Sequence, residues 1–319
     1  MTLTMVSFTV PSKAILFGEH AVVFGEPAVA IALDLKMKLT LTPLEGESIV
    51  DGFKLDPKYH SYIWTAAQRL WKTSPELAEK GFEIKISSSI PTSSGLGSSA
   101  ALTVSTVACM LKLRNMYSEE NVAKNSFEVE YETQGRASPI DTSTVTHGSS
   151  ILLNGNKSEN FLWQIERNDK SWYVHHCDLP DLTFVVGFSG KKGKTGEQVA
   201  KVKRFVEHSG FAREIIREIG DVTREGVKAL KSNNKEQIGK LMDKNHKLLA
   251  ILGVNTPELE RLVQAAKRTS YGAKITGAGG GGCMIALTDD PEATAKSILH
   301  AKGTPYIVHI SHEGVKLSG

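Results

Sequence analysis

Residues 91–104 read PTSSGLGSSAALTV, and the reading of this stretch decides the fold. It has the glycine and hydroxyl content of a phosphate-binding loop, yet it lacks the lysine of the G-x-x-x-x-G-K-[ST] pattern. Gly95 and Gly97 are followed instead by Ser98, Ser99 and Ala100. The alternating FEIKISS before it predicts a strand over 82–87, and SSAALTVSTVACMLKLRN beyond it, apolar almost all round, predicts a buried helix over 98–112. Strand, loop and helix N-terminus in that order can hold an anion. The first N–H groups of a helix lack partners, the helix dipole places about half a positive charge there, and glycine lets the backbone approach closely. A plain helix-capping turn would show the same residues. If the loop does hold a triphosphate, the rest of the positive charge must come from elsewhere.

A chain of 319 residues exceeds the size at which one core usually stops growing, so two domains are expected, 1–178 and 179–319. The second opens at the strand-like LPDLTFVVGFS, residues 179–189. With 40% hydrophobic and 23% charged residues the composition is that of an ordinary globular protein, and a net charge of +3 gives no nucleic-acid or membrane patch. The densest basic stretch, Lys191–Lys194 with Lys201, Lys203 and Arg204, suits a small anionic ligand. Cys109, Cys177 and Cys283 are scattered in apolar surroundings and read as reduced core thiols. His175-His176-Cys177 has no second ligand cluster and reads as ordinary structure rather than a metal site. The N-terminal residues lack a basic segment with a cleavage site, and no apolar run approaches ~20 residues, so a cytoplasmic protein is expected.

The first 90 residues are strand-rich: in LKMKLTLTPL, Leu35, Met37, Leu39 and Leu41 alternate with polar residues. Helices are expected over 59–72, 118–134 and 139–147, with strands in 149–177. The second half predicts helices at 197–219, 221–232, 234–250 and 256–269, a strand pair around a glycine loop, and a final helix and strand. Helices and sheets in layers make this an α+β arrangement.

Chemistry-bearing residues cluster in three places. Glu128, Glu130 and Glu132 share one helix, and at ~100° per residue Glu130 falls between Ala123 and Phe127 on the apolar face. A carboxylate facing inward needs a cation, either a metal such as Mg²⁺ shared with Ser98 or a buried Arg or Lys. Ser138-Pro139-Ile140-Asp141 has the form of a helix start, so Asp141 is either a capping residue or a base. Lys13, Glu19 and His20 lie in apolar sequence at a strand-to-loop junction and serve either a site or an internal ion pair. GFSGKKGKTGEQVAKV, residues 187–202, nearly makes a second phosphate loop, but Phe188 stands where that pattern needs glycine.

PSKAILFGEHAVVFGEPAVA at 11–30, PTSSGLGSSAAL at 91–102 and KITGAGGGGCMIAL at 274–287 together resemble the motifs of the GHMP kinase superfamily. Within it, Gly-Glu-His-Ala-Val-Val and GRASPIDTSTVTHG at 135–148 look like the archaeal-type mevalonate kinases. The resemblance implies a two-domain fold, an S5-domain-2-like N-terminal part and a ferredoxin-like C-terminal part, with the active site in the cleft between them. It implies ATP- and Mg²⁺-dependent phosphorylation of the C5 hydroxyl of mevalonate, with a homodimer common in the family. By motif, Pro91, Ser94, Gly95, Leu96, Gly97, Ser98, Ser99 and Ala100 would wrap the ATP phosphates, and Ser98 and Glu130 would hold Mg²⁺. Asp141 would be the general base with Lys13 beside it, while Glu19, His20 and Thr195 would face the acceptor. Gly277, Gly279 and Gly280 would form a glycine loop beside the phosphate loop. The Lys-Lys-Gly-Lys run at 191–194 departs from the family's usual Ser-Thr-Lys and bears on substrate contacts, which keeps phosphomevalonate or another small alcohol open as acceptor. A non-catalytic nucleotide sensor would be expected to have lost Lys13, Glu130 or Asp141, and all three are present.

Overall fold

The computed structural model describes residues 4–92, 94–135, 137–193 and 195–318, so Ser93, Arg136 and Lys194 of the quoted motifs lie outside the described residues. The chain is built on two antiparallel-rich sheets. The first holds β1 (Val6–Phe17), β2 (Ala28–Leu44), β3 (Ile49–Val50), β4 (Phe53–Lys54), β5 (Gly81–Ser88), β6 (Ser150–Asn154), β7 (Phe161–Arg167) and β8 (Lys170–His176). Its order is β4-β3-β5-β2-β6-β8-β7, with β1 paired to β2. The long β2 runs antiparallel to β1 along most of its length, while its other edge is shared by β5 and β6. The second sheet has the order β10-β11-β9-β12, from β9 (Thr183–Phe188), β10 (Gly272–Ile275), β11 (Cys283–Leu287) and β12 (Thr304–His309). A last strand, β13 (Lys316–Leu317), returns to pair with β1.

The helices pack according to their sequence periods. α1 (Ser61–Ala66) continues through a π turn to Trp71, close to the expected 59–72. α2 (Ser98–Leu113) is buried along almost its whole length, as its uniformly apolar sequence requires. α3 (Glu119–Gln134) starts at Ser118, whose side chain accepts from Asn121 N. α4 (Ile140–His147) follows, and beyond β9 come α5 (Thr195–His208), α6 (Gly210–Lys231), α7 (Lys235–Ile251), α8 (Pro257–Ala266) and α9 (Pro291–His300).

The break expected at Gly220 falls instead at Ser209, whose extended backbone and side-chain bond from Ala212 N start α6. Gly220 lies inside that helix because its bare face admits the Glu26 carboxylate; a Cβ there would meet Glu26 Oε2 at 2.1 Å. The three cysteines are buried and unpaired. Burial pushes the Cys109 and Cys283 thiols up to about 12 and Cys177 up to about 11, so all three stay protonated.

Candidate active site

A cavity of about 540 Å³ lies where the N-terminus of α2, β1, α3, α4, α5 and the glycine loop after β10 converge. Its phosphate-loop wall follows from backbone geometry. Gly95 (φ 85°) and Gly97 (φ 81°) are left-handed, and Gly97 caps α2 with no side-chain bond, so no side chain closes off the helix N-terminus. Gly97 is needed for a second reason. A Cβ there would meet Lys13 Cγ at 2.7 Å, so only glycine lets the lysine stem cross the loop. The Lys13 backbone N–H donates to Leu96 O at 3.0 Å and ties the loop to β1.

At the end of that stem, Lys13 Nζ reaches Asp141 Oδ1 at 2.8 Å. The capping alternative for Asp141 is not realised. α4 begins one residue later than Ser138 as cap would require, its N-cap is Pro139 with no side-chain bond, and the aspartate turns to the lysine instead. Glu130 is buried at 4% exposure on the inner face of α3 and lines the cavity. Burial, with the neighbouring Asp141 charge and only partly offset by Lys13, pushes its carboxyl up to about 8. Glu128 and Glu132 instead pair with Arg167 and Arg69 on the outer side. Glu130 makes no hydrogen bond or ion pair with another described residue. An inward carboxylate whose neighbouring lysine is paired with Asp141, on the same cavity as the Ser98 hydroxyl at the open helix end, fits a hard divalent ion such as Mg²⁺.

The far wall comes from the first and third motifs. His20 sits at φ 61°, with its Nε2 3.0 Å from the Ala278 carbonyl. Burial lowers its pKa to about 4, so the ring is neutral near pH 7 and donates that bond. Glu19 lines the cavity but its carboxylate is already engaged, Oε1 by Lys274 Nζ and Oε2 by Asn245 Nδ2 at 2.9 Å. The glycine run is an ordered loop. Gly277, Gly279, Gly280, Gly281 and Gly282 all have positive φ, Gly280 N donates to Val254 O and Gly282 N to Lys191 O, each at 2.8 Å. Thr276 Oγ1 bonds both N and O of Ile15, joining this loop to β1.

Lys13, Glu19, His20, Ser94, Gly95, Gly97, Ser98, Ser99, Glu130, Asp141, Thr195, Gly277 and Gly279 therefore all line one cavity. Pro91, Leu96, Ala100 and Gly280 stand behind it: Pro91 O accepts from Ser94 Oγ, Leu96 O from Lys13 N, Ala100 is buried in α2, and Gly280 packs on Gln198. The near-Walker stretch opens on the same cavity through Gly193, Thr195, Gly196 and Val199. Sequence reasoning assigned no site role to Tyr62, Gln134, Val22 and Val23, which also line it, nor to Lys274 and Asn245 behind Glu19. The apolar ones read as core. Lys274 carried a signal, a lysine in a strand otherwise apolar on both sides.

An open helix end, an inward carboxylate and a lysine–aspartate pair on one cavity define a phosphoryl-transfer site of the kind a small-molecule kinase uses. Family profiles agree: residues 61–149 match the GHMP kinases N-terminal domain and residues 227–303 the GHMP kinases C-terminal domain. The chain belongs to the GHMP kinase family. Mevalonate kinases are among its full-length relatives: that of Pyrococcus furiosus is 34% identical over 96% of both chains. The Methanocaldococcus jannaschii mevalonate kinase is 36% identical, covering 88% of this chain and 91% of its own. The crystal structure titled as the Methanococcus jannaschii mevalonate kinase superposes with a TM-score of 0.78 at 32% identity, over 96% of this chain and 98% of that one.

Proposed function

We propose that this kinase transfers the terminal phosphoryl group of ATP to the C5 hydroxyl of (R)-mevalonate, giving 5-phosphomevalonate, as a cytoplasmic enzyme of isoprenoid biosynthesis. The observation that carries the reading is the 2.8 Å Lys13–Asp141 pair beside the open N-terminus of α2. The phosphates of ATP lie against the α2 N-terminus, where backbone N–H groups and the helix dipole receive them. Ser98 and Glu130 would hold Mg²⁺, which would supply charge neutralisation for the phosphates. Asp141 accepts the proton of the attacking hydroxyl, and Lys13 holds the Asp141 carboxylate in place and offsets charge on the moving group. Glu19, His20 and Thr195 form the acceptor side. This answers the missing lysine of the phosphate loop: helix end, metal and Lys13 share its work. A division of the chain near residue 179 is consistent with the gap between β8 and β9.

A phosphorylated acceptor would need a free cation cluster; of Lys191, Lys192 and Lys194, Lys191 is paired with Glu258 at 2.5 Å and Lys194 lies outside the described residues. The test is ADP release with ATP–Mg²⁺ and, separately, mevalonate, 5-phosphomevalonate and homoserine, with the product located by phosphorus NMR. Turnover on mevalonate giving the 5-phosphate is expected. Turnover confined to phosphomevalonate would move the acceptor assignment, and ATP binding without turnover on any of them would overturn it.

A further inference from the structure

The lysine that opens the third glycine motif takes no part in the chemistry above. We propose that Lys274, together with Asn245, is a positioning residue for the phosphoryl-transfer reaction, fixing the Glu19 carboxylate at the acceptor end of the cavity. The inference rests on the kinase reading and deepens it.

Lys274 is 0% and Glu19 1% exposed, and the rest of β10 is equally buried. Burying such a pair costs both hydration shells, which mutual attraction roughly repays, and apolar residues of the same volume usually serve stability as well. Stability therefore gives little reason for a lysine here, whereas the geometry gives one. Lys274 Nζ donates to Glu19 Oε1 and to the Ile275 carbonyl at 2.8 Å. Asn245, from α7, donates to Glu19 Oε2 at 2.9 Å, and its own Oδ1 is buried without a partner. Both donors come from the second-sheet half of the chain, while Glu19 follows β1 of the first. The next residue, His20, is held at φ 61° by its bond to Ala278 O. Two successive side chains of the turn after β1 are thus clamped from the opposite half, and a non-glycine residue keeps a left-handed backbone only under such restraint. Each Glu19 oxygen still has accepting capacity, and the residue lines the cavity.

The experiment measures kcat and KM for acceptor and for ATP across pH in Lys274→Met, Glu19→Gln and the Lys274→Met/Glu19→Gln pair, as ratios to the unaltered enzyme. Turnover of the unaltered enzyme decides the kinase reading, so the two failures are separable. In Lys274→Met the buried Glu19 carboxylate loses its cation and keeps Asn245 as its remaining side-chain donor. Acceptor kcat/KM is expected to fall by about 100-fold, with the KM for ATP nearly unchanged. The other ionisable groups around this point are His20, His246 bonded to Glu260 and close to Lys267 and Lys274, and Lys13, Asp141 and Glu130 across the cavity. All but Lys274 are present in both proteins, so a change confined to the acceptor kinetics belongs to the lost Lys274–Glu19 contact. The double variant buries no unpaired charge; it should fold, bind ATP and stay impaired on the acceptor at every pH. Folded Lys274→Met with unaltered acceptor kinetics and pH profile would overturn the proposal. Should Lys274→Met fail to fold, unaltered acceptor kinetics in the double variant would overturn it equally.

Discussion

Glu130 carries an electrostatic cost that the ligand-free molecule does not repay: a buried carboxyl beside Asp141, pushed up to about 8. Between its ordinary value of 4.5 and about 8, the folded protein holds a proton that the unfolded chain has released, so this group's contribution to stability falls as pH rises through that window. Glu130→Gln should therefore raise the melting temperature of the ligand-free protein at pH 8 by about 2–4 °C, with a smaller gain at pH 5. The same change should lower Mg²⁺-dependent turnover on the order of 10²-fold. Calorimetry and kinetics on one preparation check both, and a variant less stable than its parent at pH 8 would refute the electrostatic account. Asp141→Asn should lose ~10²–10⁴ in kcat while ATP binding, followed by titration calorimetry, is largely kept. Near-normal turnover in that variant would remove Asp141 as the base. At Gly97 a methyl group would meet both an unfavourable φ of 81° and the Lys13 stem at 2.7 Å. Gly97→Ala should thus cost about 1–3 kcal/mol and displace Lys13 from Asp141, seen as a joint loss of stability and kcat.

At the scale of elements, α6 shows why local rules misplace a boundary. Gly220 reads as a helix breaker, yet the helix passes through it and uses the bare position to receive Glu26, which Arg224 holds at 2.6 Å. Nearly two turns on, Gly226 receives the Phe17 ring, which a Cβ would meet at 2.6 Å. The two glycines seat α6 on the end of β1 and the turn after it, the segment that presents Glu19 and His20. Gly226→Ala is expected to destabilise by about 1–3 kcal/mol through overpacking, in spite of alanine's better helix propensity. Phe17→Leu in the same chain should recover part of that loss. Denaturant unfolding measures both, and a Gly226→Ala protein more stable than its parent would show that α6 can shift freely.

For the whole molecule, the cavity takes its walls from both halves of the chain: Lys13, Ser98, Glu130 and Asp141 from one, Thr195, Thr276 and Gly277 from the other. A ligand bound there stabilises both halves together. ATP–Mg²⁺ at 100 times its dissociation constant should add about 2.7 kcal/mol and move a single calorimetric transition upward. Two transitions, of which only one moves, would mean that the halves unfold independently. The phosphate loop, the buried helix behind it and the inward face of Glu130 were legible in the sequence because each follows from local periodicity and from residues within one or two turns. The Lys13–Asp141 contact spans 128 positions, as the difference between their numbers shows, and no local spacing brings it about. The resemblance to a kinase family anticipated that pairing. Asn245 had neither a period nor a familiar role to mark it, and Lys274 only its place in an otherwise apolar strand. By itself, then, the sequence determined most of the elements, the kinase family and the charged and loop residues proposed for the chemistry that meet in the cavity. The tertiary structure alone decided that Asp141 turns from helix cap to ion pair, that Gly220 continues a helix, and that Glu19 is gripped from the opposite half. The physical reason is common to all three: the partner that settles each choice is distant in the chain, and burial makes an unpaired charge or a displaced side chain too costly to leave the choice open.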